Sequence, residues 1–563
     1  MTATNSSATT LTLPVALPDV QGKWPNLARA FVLKAKTCST RIAVEDDQGT
    51  YTYGDLMAKS LAIALILQEQ LQNSETVGII LPPSAAAVIA NLAITLLGKT
   101  PVNVNYGTGN ELVNYTLEDA GIDFVISSPS FLQTVKLEPV KTVLDMTELA
   151  GRVNQHVLAD VAAILAGAED AKPLPGLAAT QASTATLLYT SGSTNRPKGV
   201  ILSHESIITN VLAVSERYPT RYTQEGQPDS GAEIQEVVLG SLPFAHSLGF
   251  TGTFWAALLL GWKAVYFANP RDIRGICKRV QEAGVTIFVT APTLMRMYLI
   301  KATREQFASV HVLLLGSEKL KPELRKDIKD KLGIDACEAY GATEMGPIIT
   351  LSVAAMVIGA RGTPVYGSRP GSVGLPAAGT TIAVVNTTSG EFITAHGSEH
   401  QGEFWVKGRQ RMDGYHGNKE ATEKAIVDGW YRTGDIGYVD EDGFLYITDR
   451  LARFAKVSGE MVPMGLVETL VRQLTGLDEL SIHVTCIPDA SKGERLVAFY
   501  TSLGSLAEVG VSGLIKQLSD QIDNLWIPKV CDFIQLSEMP IGATGKLDMQ
   551  ALKATARDLT ANS

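Results

Sequence analysis

Short apolar runs alternate with longer amphipathic stretches along most of the chain, and the alternation predicts strands that feed helices. Val77–Leu81 is one such run, ended by Pro82 and Pro83, and Ala86–Leu97 behind it reads as a core helix. A helical stretch at Glu111–Asp119 leads to an apolar run at Phe124–Ile126. Ala264–Phe267 precedes a helix at Ile273–Ala283, Thr286–Val289 precedes Pro292–Ile300, and Val310–Leu315 precedes Lys321–Leu332. Strands alternating with helices point to parallel α/β sheets. After about Gly371 the texture changes to short strands with Gly and Asp turns, among them a hairpin turn at Asp440–Gly443, and a small antiparallel or barrel-like unit is expected there. From Arg450 a compact mixed tail follows. The polar stretch Tyr218–Ala232 reads as an exposed loop.

Length changes this picture to more than one domain: the chain has 563 residues, and domains run about 100–200. Its net charge of −10 argues against nucleic acid as a partner, because general nucleic-acid binding needs a basic face. The apolar stretch Thr76–Gly98 contains Pro82, Pro83, Ser84 and Asn91, which break the roughly 20-residue run a membrane helix needs. Membrane association is expected to be peripheral at most. The N-terminus has no basic segment leading into an apolar one, so no signal peptide is expected. Cys38, Cys277, Cys337, Cys486 and Cys531 are scattered without a CxxC, which suggests buried apolar residues in a reducing, cytoplasmic compartment.

The chemistry sits in a few strings. Leu187–His204 reads LLYTSGSTNRPKGVILSH: an apolar strand enters a loop of Thr190, Ser191, Gly192, Ser193 and Thr194, with Arg196 and Lys198 close behind. Backbone N–H groups, hydroxyls and cations in one concavity suit a polyphosphate. The loop is not a Walker A sequence, since Pro197 and Gly199 stand where that pattern needs Gly and Ser or Thr. GSEKL at Gly316–Leu320 closes a buried strand, and YGATE spans Tyr340–Glu344. Asp435 follows a Thr-Gly turn in WYRTGDIGYVDEDGFLYITDR, and Lys546 lies between glycine and leucine in MPIGATGKLD. His246 stands in LPFAHSLGF, as a pocket residue or as a packed core histidine.

Together these strings resemble the adenylate-forming superfamily of acyl-CoA synthetases, nonribosomal adenylation domains and luciferases. The resemblance covers nearly the whole chain from Trp24, with Asn195 in place of the usual glycine. It implies a large N-terminal domain of two α/β subdomains plus a β-barrel-like subdomain, and a small mobile C-terminal α+β lid, as 1–449 and 450–563. It also implies roles. Thr190, Ser191, Gly192, Ser193, Thr194 and Lys198 would hold the ATP phosphates. Gly316, Ser317, Glu318, Tyr340 and Gly341 would form the adenine site. Thr343 would bond the α-phosphate, Glu344 would bind Mg²⁺, and Asp435 and Arg450 would hold the ribose. His246 would gate the acid pocket or orient the carboxylate, Arg453 would be the hinge, Gly459 would line the thiol tunnel, and Lys546 would pair with the carboxylate and α-phosphate.

LARFAKVSGEMV and YGATEMGPI are most similar to acyl–acyl-carrier-protein synthetases. The resemblance thus implies an acid–thiol ligase that makes acyl-AMP from ATP and a fatty acid, then passes the acyl group to the pantetheine thiol of acyl carrier protein. Coenzyme A is the alternative acceptor, and a non-catalytic adenylate-binding scaffold is the alternative to an enzyme. Lys492, Arg495, Lys516 and Lys529 would meet an acidic carrier or form a solvated face.

Overall fold

The computed structural model describes residues 11–12, 24–168, 172–190, 196–218, 235–359, 363–458, 460–477, 481–489, 492–502, 504, 510–540, 547 and 549–561. These divide into two compact units, Met1–Thr433 with Tyr438–Tyr446, and Gly434–Gly437 with Ile447–Ser563. The expected loop at Tyr218–Ala232 lies, apart from Tyr218, outside the described residues.

The larger unit holds two sheets of the parallel kind. A four-stranded sheet has the order Thr100–Asn103, Thr76–Ile79, Phe124–Ser127, Thr142–Asp145, all parallel. The strand Thr76–Ile79 turns at the two prolines into the helix Ala85–Leu96, whose N-cap is Ser84. Eleven of that helix's twelve residues are buried, which is why its sequence is apolar on every side.

The second sheet has nine strands. Its parallel body runs Ile42–Asp46, Lys263–Tyr266, Val237–Gly240, Ile287–Thr290, Val312–Leu315, Ala336–Gly341. Antiparallel strands close both edges, Gly49–Thr52 at one and Ile348–Leu351 with Leu375–Pro376 at the other. The helices Ile273–Ala283, Pro292–Leu299 and Pro322–Leu332 bury Ile276, Val280, Met295, Leu324 and Ile328 against one face. All four residues of Ile287–Thr290 and of Val312–Leu315 are buried, the mark of a parallel strand covered on both faces.

Beside the antiparallel pair Met356–Ile358 with Pro364–Tyr366, the unit holds two further antiparallel sheets. In one, Lys198–Ser203 lies between Thr184–Thr190 and Gly414–Tyr415. In the other, Thr381–Val385 pairs with Gly402–Lys407, Phe392–Ile393 and Leu11–Thr12. The change of texture after Gly371 therefore marks antiparallel structure. Asp440 and Asp442, in the hairpin turn expected at Asp440–Gly443, are ion-paired. Arg369 Nη1 stands 2.6 Å from Asp440, its Nη2 binds Asp442, and Asp442 is buried.

The smaller unit carries a mixed sheet. Ile482–Asp489 pairs antiparallel with Gly493–Tyr500, which also pairs parallel with Phe533–Gln535. Val467, Val471, Val484, Ala498, Leu514 and Leu518 form a core on one face, and Val497, Phe499, Leu552 and Ala556 form one on the other. Of the cysteines, Cys277 and Cys337 are buried as expected, and burial raises both thiols to about 11. Cys38 and Cys486 are half-buried and Cys531 is exposed, contrary to the expectation of burial. No described helix is long and apolar enough to cross a membrane.

Candidate active site

In the nine-stranded sheet the chain leaves Val237–Gly240 towards Lys263–Tyr266 and then returns on the other side at Ile287–Thr290. Such a reversal opens a crevice beyond the carboxyl ends of the strands. His246 follows the first of these strands, Gly316 ends Val312–Leu315, and Tyr340 and Gly341 end Ala336–Gly341. The sheet thus gathers candidates that are far apart in sequence along one edge.

Gly316 is buried against its neighbours: its N–H donates to the Thr290 carbonyl at 3.2 Å, and a Cβ there would lie 3.4 Å from the Ala339 carbonyl. Ser317 takes a left-handed backbone, φ 71°, rare for a residue with a side chain and typical of functional turns. Glu318 accepts from the N–H of Thr293 at 3.2 Å and from its hydroxyl, so it ties the turn to the helix Pro292–Leu299. Tyr340 is buried, 8% exposed. A Cβ on Gly341 would stand 2.0 Å from the Pro347 carbonyl oxygen, so only glycine lets the chain turn back there.

His246 is exposed, which removes the reading of a packed core histidine. Its Nδ1 accepts from the Leu248 N–H at 3.2 Å, so a neutral ring carries its proton on Nε2. The next residue, Ser247, lies 3.3 Å, hydroxyl to hydroxyl, from Thr343. A π-helical segment, Leu248–Trp255, follows; its last turn is bonded from Ala256 N–H to the Thr251 carbonyl. Such wide turns collect at functional sites.

Lys198 begins the strand that leaves the hydroxyl-rich loop, and Thr190 is its pairing partner. Ser191, Gly192, Ser193 and Thr194 lie outside the described residues. The strand is clamped from its other side. His416 N–H donates to the Gly199 carbonyl at 2.7 Å, Asp413 N–H to Ile201 at 3.0 Å, and Met412 N–H to the Glu344 carbonyl at 2.7 Å. Tyr415 completes the clamp: its hydroxyl donates to Glu344 Oε1 at 2.7 Å, and the Lys198 ammonium lies 4.9 Å from its ring centre. Burial first, then the Glu344 charge, raises the Tyr415 pKa, so the phenol stays a donor. The sequence reading assigns Tyr415 no role, because an aromatic residue in a glycine-rich stretch carries no chemical signature of its own.

Glu344 suits Mg²⁺. Among the described residues no three His, Cys, Asp or Glu side chains form a cage. A single oriented carboxylate completed by phosphate oxygens and water is the usual Mg²⁺ arrangement at nucleotide sites.

The ribose candidates belong to the smaller unit. Asp435 is buried, and its Oδ1 stands 2.9 Å from Nε of Arg450, which is 70% exposed. Arg453 pairs with Glu468, which His483 also bonds at 2.9 Å. Burial pushes Glu468 up, but the bond from His483 and the charges of His483 and Arg453 hold its pKa below the usual range. Lys546 and Gly459 lie outside the described residues.

Comparison with known proteins bears on the family and the fold. The AMP-binding enzyme family matches residues 31–416. A long-chain-fatty-acid–CoA ligase of Bacillus subtilis is 26% identical over 526 residues, 88% of each chain. A 4-coumarate–CoA ligase of Oryza sativa is 29% identical over 458 residues, 80% of each chain. The ATP-bound structure of MatB from Rhodopseudomonas palustris superposes with a TM-score of 0.73 at 22% identity, covering 95% of this chain and 99% of that one. The o-succinylbenzoate CoA synthetase MenE of Bacillus subtilis, with its acyl-adenylate, gives 0.71 at 23% identity, over 93% and 98% of the two chains. The expected α/β fold, with a large N-terminal and a smaller C-terminal part, is thus shared with adenylate-forming enzymes. This chain belongs to the AMP-binding enzyme family.

Proposed function

We propose that the protein is an acid–thiol ligase that activates a carboxylic acid as its acyl-AMP and then transfers the acyl group to a thiol. The observation that supports this best is the Lys198–Tyr415–Glu344 contact, which brings a cation for phosphate and a carboxylate for Mg²⁺ to one place.

In the first step the acid's carboxylate oxygen attacks the α-phosphorus of ATP, forming one P–O bond, and pyrophosphate leaves as the α–β bridging P–O bond breaks. Positioning and charge stabilisation supply most of the rate in such transfers. Thr190 to Thr194 and Lys198 hold the β- and γ-phosphates, Thr343 bonds the α-phosphate, and Lys546 pairs with the carboxylate. Gly316 to Glu318, Tyr340 and Gly341 receive the adenine, and Asp435 and Arg450 the ribose. Mg²⁺ on Glu344 supplies charge neutralisation at the phosphates. His246, exposed beside Thr343's partner Ser247, orients the acid. In the second step the thiol attacks the mixed anhydride and AMP leaves. The 450–563 lid turns about Arg453 between the steps and brings Gly459 to the thiol path.

The acid is a fatty acid in this reading, which the Bacillus relative's name supports; the Oryza relative is named for an aromatic acid. For the acceptor, the string from Leu451 to Val462 supports acyl carrier protein, while the names of the relatives favour coenzyme A. Lys516 and Lys529 are exposed and could face a carrier; Arg495 is taken up by Asp532 at 2.9 Å. The test is acid-dependent pyrophosphate release over fatty and aromatic acids, with each acceptor in turn. Release with fatty acids and acylation of carrier protein alone supports the specific reading. Better transfer to coenzyme A assigns the acceptor there. No release with any acid makes the chain a non-catalytic scaffold.

A further inference from the structure

A crevice of about 890 Å³ lies in the larger unit, and none of the residues assigned above to ATP, metal or acid lines it. Two features of the topology place it. In the four-stranded sheet the first strand, Thr76–Ile79, lies beside the third, Phe124–Ser127, and the chain leaves them in opposite directions. That is a topological switch point, where open α/β sheets bind ligands. Pro82 and Ser84 after the one strand and Ser128 and Phe131 after the other line the crevice. Its opposite wall belongs to the nine-stranded sheet's edge: Asp46, Tyr51 and Tyr266, with Lys59, Ala62 and Ile63 of the helix Tyr53–Leu67. The crevice thus also lies on a seam between two sheets, the other common place for small-molecule sites, and its volume falls in their usual range.

The lining states the chemistry of an occupant. Asp46, Asp47 and Asp55 face a single lysine, Lys59. The helix Ala85–Leu96 does not offer its N-terminus to a phosphate, because Asp46 Oδ2 accepts from Ala85 N–H at 2.8 Å and the Ser84 hydroxyl accepts from Ala87 N–H at 3.2 Å. Alanines, prolines, Ile63, Leu81, Ile89 and Phe131 make up much of the rest. Acid walls repel carboxylates and phosphates, so substrates of the proposed reaction are unsuited to it. In that wall the Tyr266 hydroxyl donates to the Thr253 carbonyl at 3.1 Å, and its ring meets Phe244 edge-on at 5.4 Å, two residues before His246.

We propose that this crevice is a second small-molecule site, selective for a cationic amphipathic ligand. The test is calorimetric titration of the full chain, without ATP, using decylamine and decanoate below their micellar concentrations. Decylamine binds one per chain. Ala62→Trp, which fills the crevice from the helix Tyr53–Leu67, lowers decylamine affinity at least tenfold and leaves decanoate binding at the catalytic site unchanged. Asp47→Lys, at an exposed position, weakens decylamine by about tenfold, the effect of reversing one near charge. Absence of decylamine binding, or equal binding by a folded Ala62→Trp protein, overturns the proposal. Should Ala62→Trp not fold, an unchanged decylamine affinity in Asp47→Lys overturns it. Neither outcome touches the ligase reading, which the pyrophosphate assay decides separately.

Discussion

Asp435 shows how a residue outside the apolar pattern can be read from its neighbours and still gain from the structure. The resemblance assigns it to the ribose; the structure adds that it is buried and stands 2.9 Å from Nε of Arg450. A charge-assisted bond to ribose is worth about 1.5–3 kcal/mol, roughly ten- to a hundredfold in affinity. Asp435→Ala should therefore raise KM for ATP by that factor, and an unchanged KM removes Asp435 from the ribose site. His204 is the opposite case, a titratable residue to which neither motif nor resemblance gives a role. It is 5% exposed, its Nδ1 accepts from Leu27 N–H at 3.4 Å, and burial lowers its pKa from 6.5 to about 4. Below pH 6.5 the unfolded chain takes up a proton there that the folded chain refuses until about pH 4. Its contribution to stability is therefore present above pH 6.5 and is lost as pH falls through that window, at about 1.4 kcal/mol per pH unit. Thermal unfolding from pH 7 to 4 should show a shallower fall in His204→Leu; parallel curves would refute this.

At the scale of elements, the clamp of 412–416 on the strand Lys198–Ser203 joins two motifs that the chain keeps far apart. Tyr415→Phe removes the bond to Glu344 and keeps the ring under Lys198. Loss of a partner that orients a metal ligand costs at least about tenfold in metal affinity. ATP binding by calorimetry at graded Mg²⁺ should show that shift, and no shift would make Tyr415 merely structural. Gly341→Ala puts a Cβ 2.0 Å from the Pro347 carbonyl; moving that turn should destabilise the chain by about 1–3 kcal/mol and displace Thr343 and Glu344. An unchanged unfolding midpoint would show that the turn relaxes freely. The elements themselves were largely legible. Buried parallel strands are continuous apolar runs, so Ile287–Thr290 and Val312–Leu315 stand out in the sequence. Tyr415 did not, because its partner is 71 residues away, and neither did Arg369 between Asp440 and Asp442, since pattern records polarity and not pairing.

The molecule as a whole consists of two compact units, and the smaller has cores on both faces of its own sheet, the property of a body that can move as one. A division of labour follows for Lys546, which resemblance places in that unit and which lies outside the described residues. If the lid delivers it only for adenylation, its charge is needed while the carboxylate and α-phosphate approach one another. It is not needed when a thiol attacks an acyl-AMP already formed, because the lid then presents another face. Lys546→Ala should thus lower acid-dependent pyrophosphate release by at least about a hundredfold, the scale of losing one positioned charge in a transition state. Thioester formation from supplied acyl-AMP should stay within about threefold of the unsubstituted protein, less than 1 kcal/mol. Equal loss in both steps would mean that Lys546 serves the whole reaction from one position, and the two-step use of the smaller unit would fall with it.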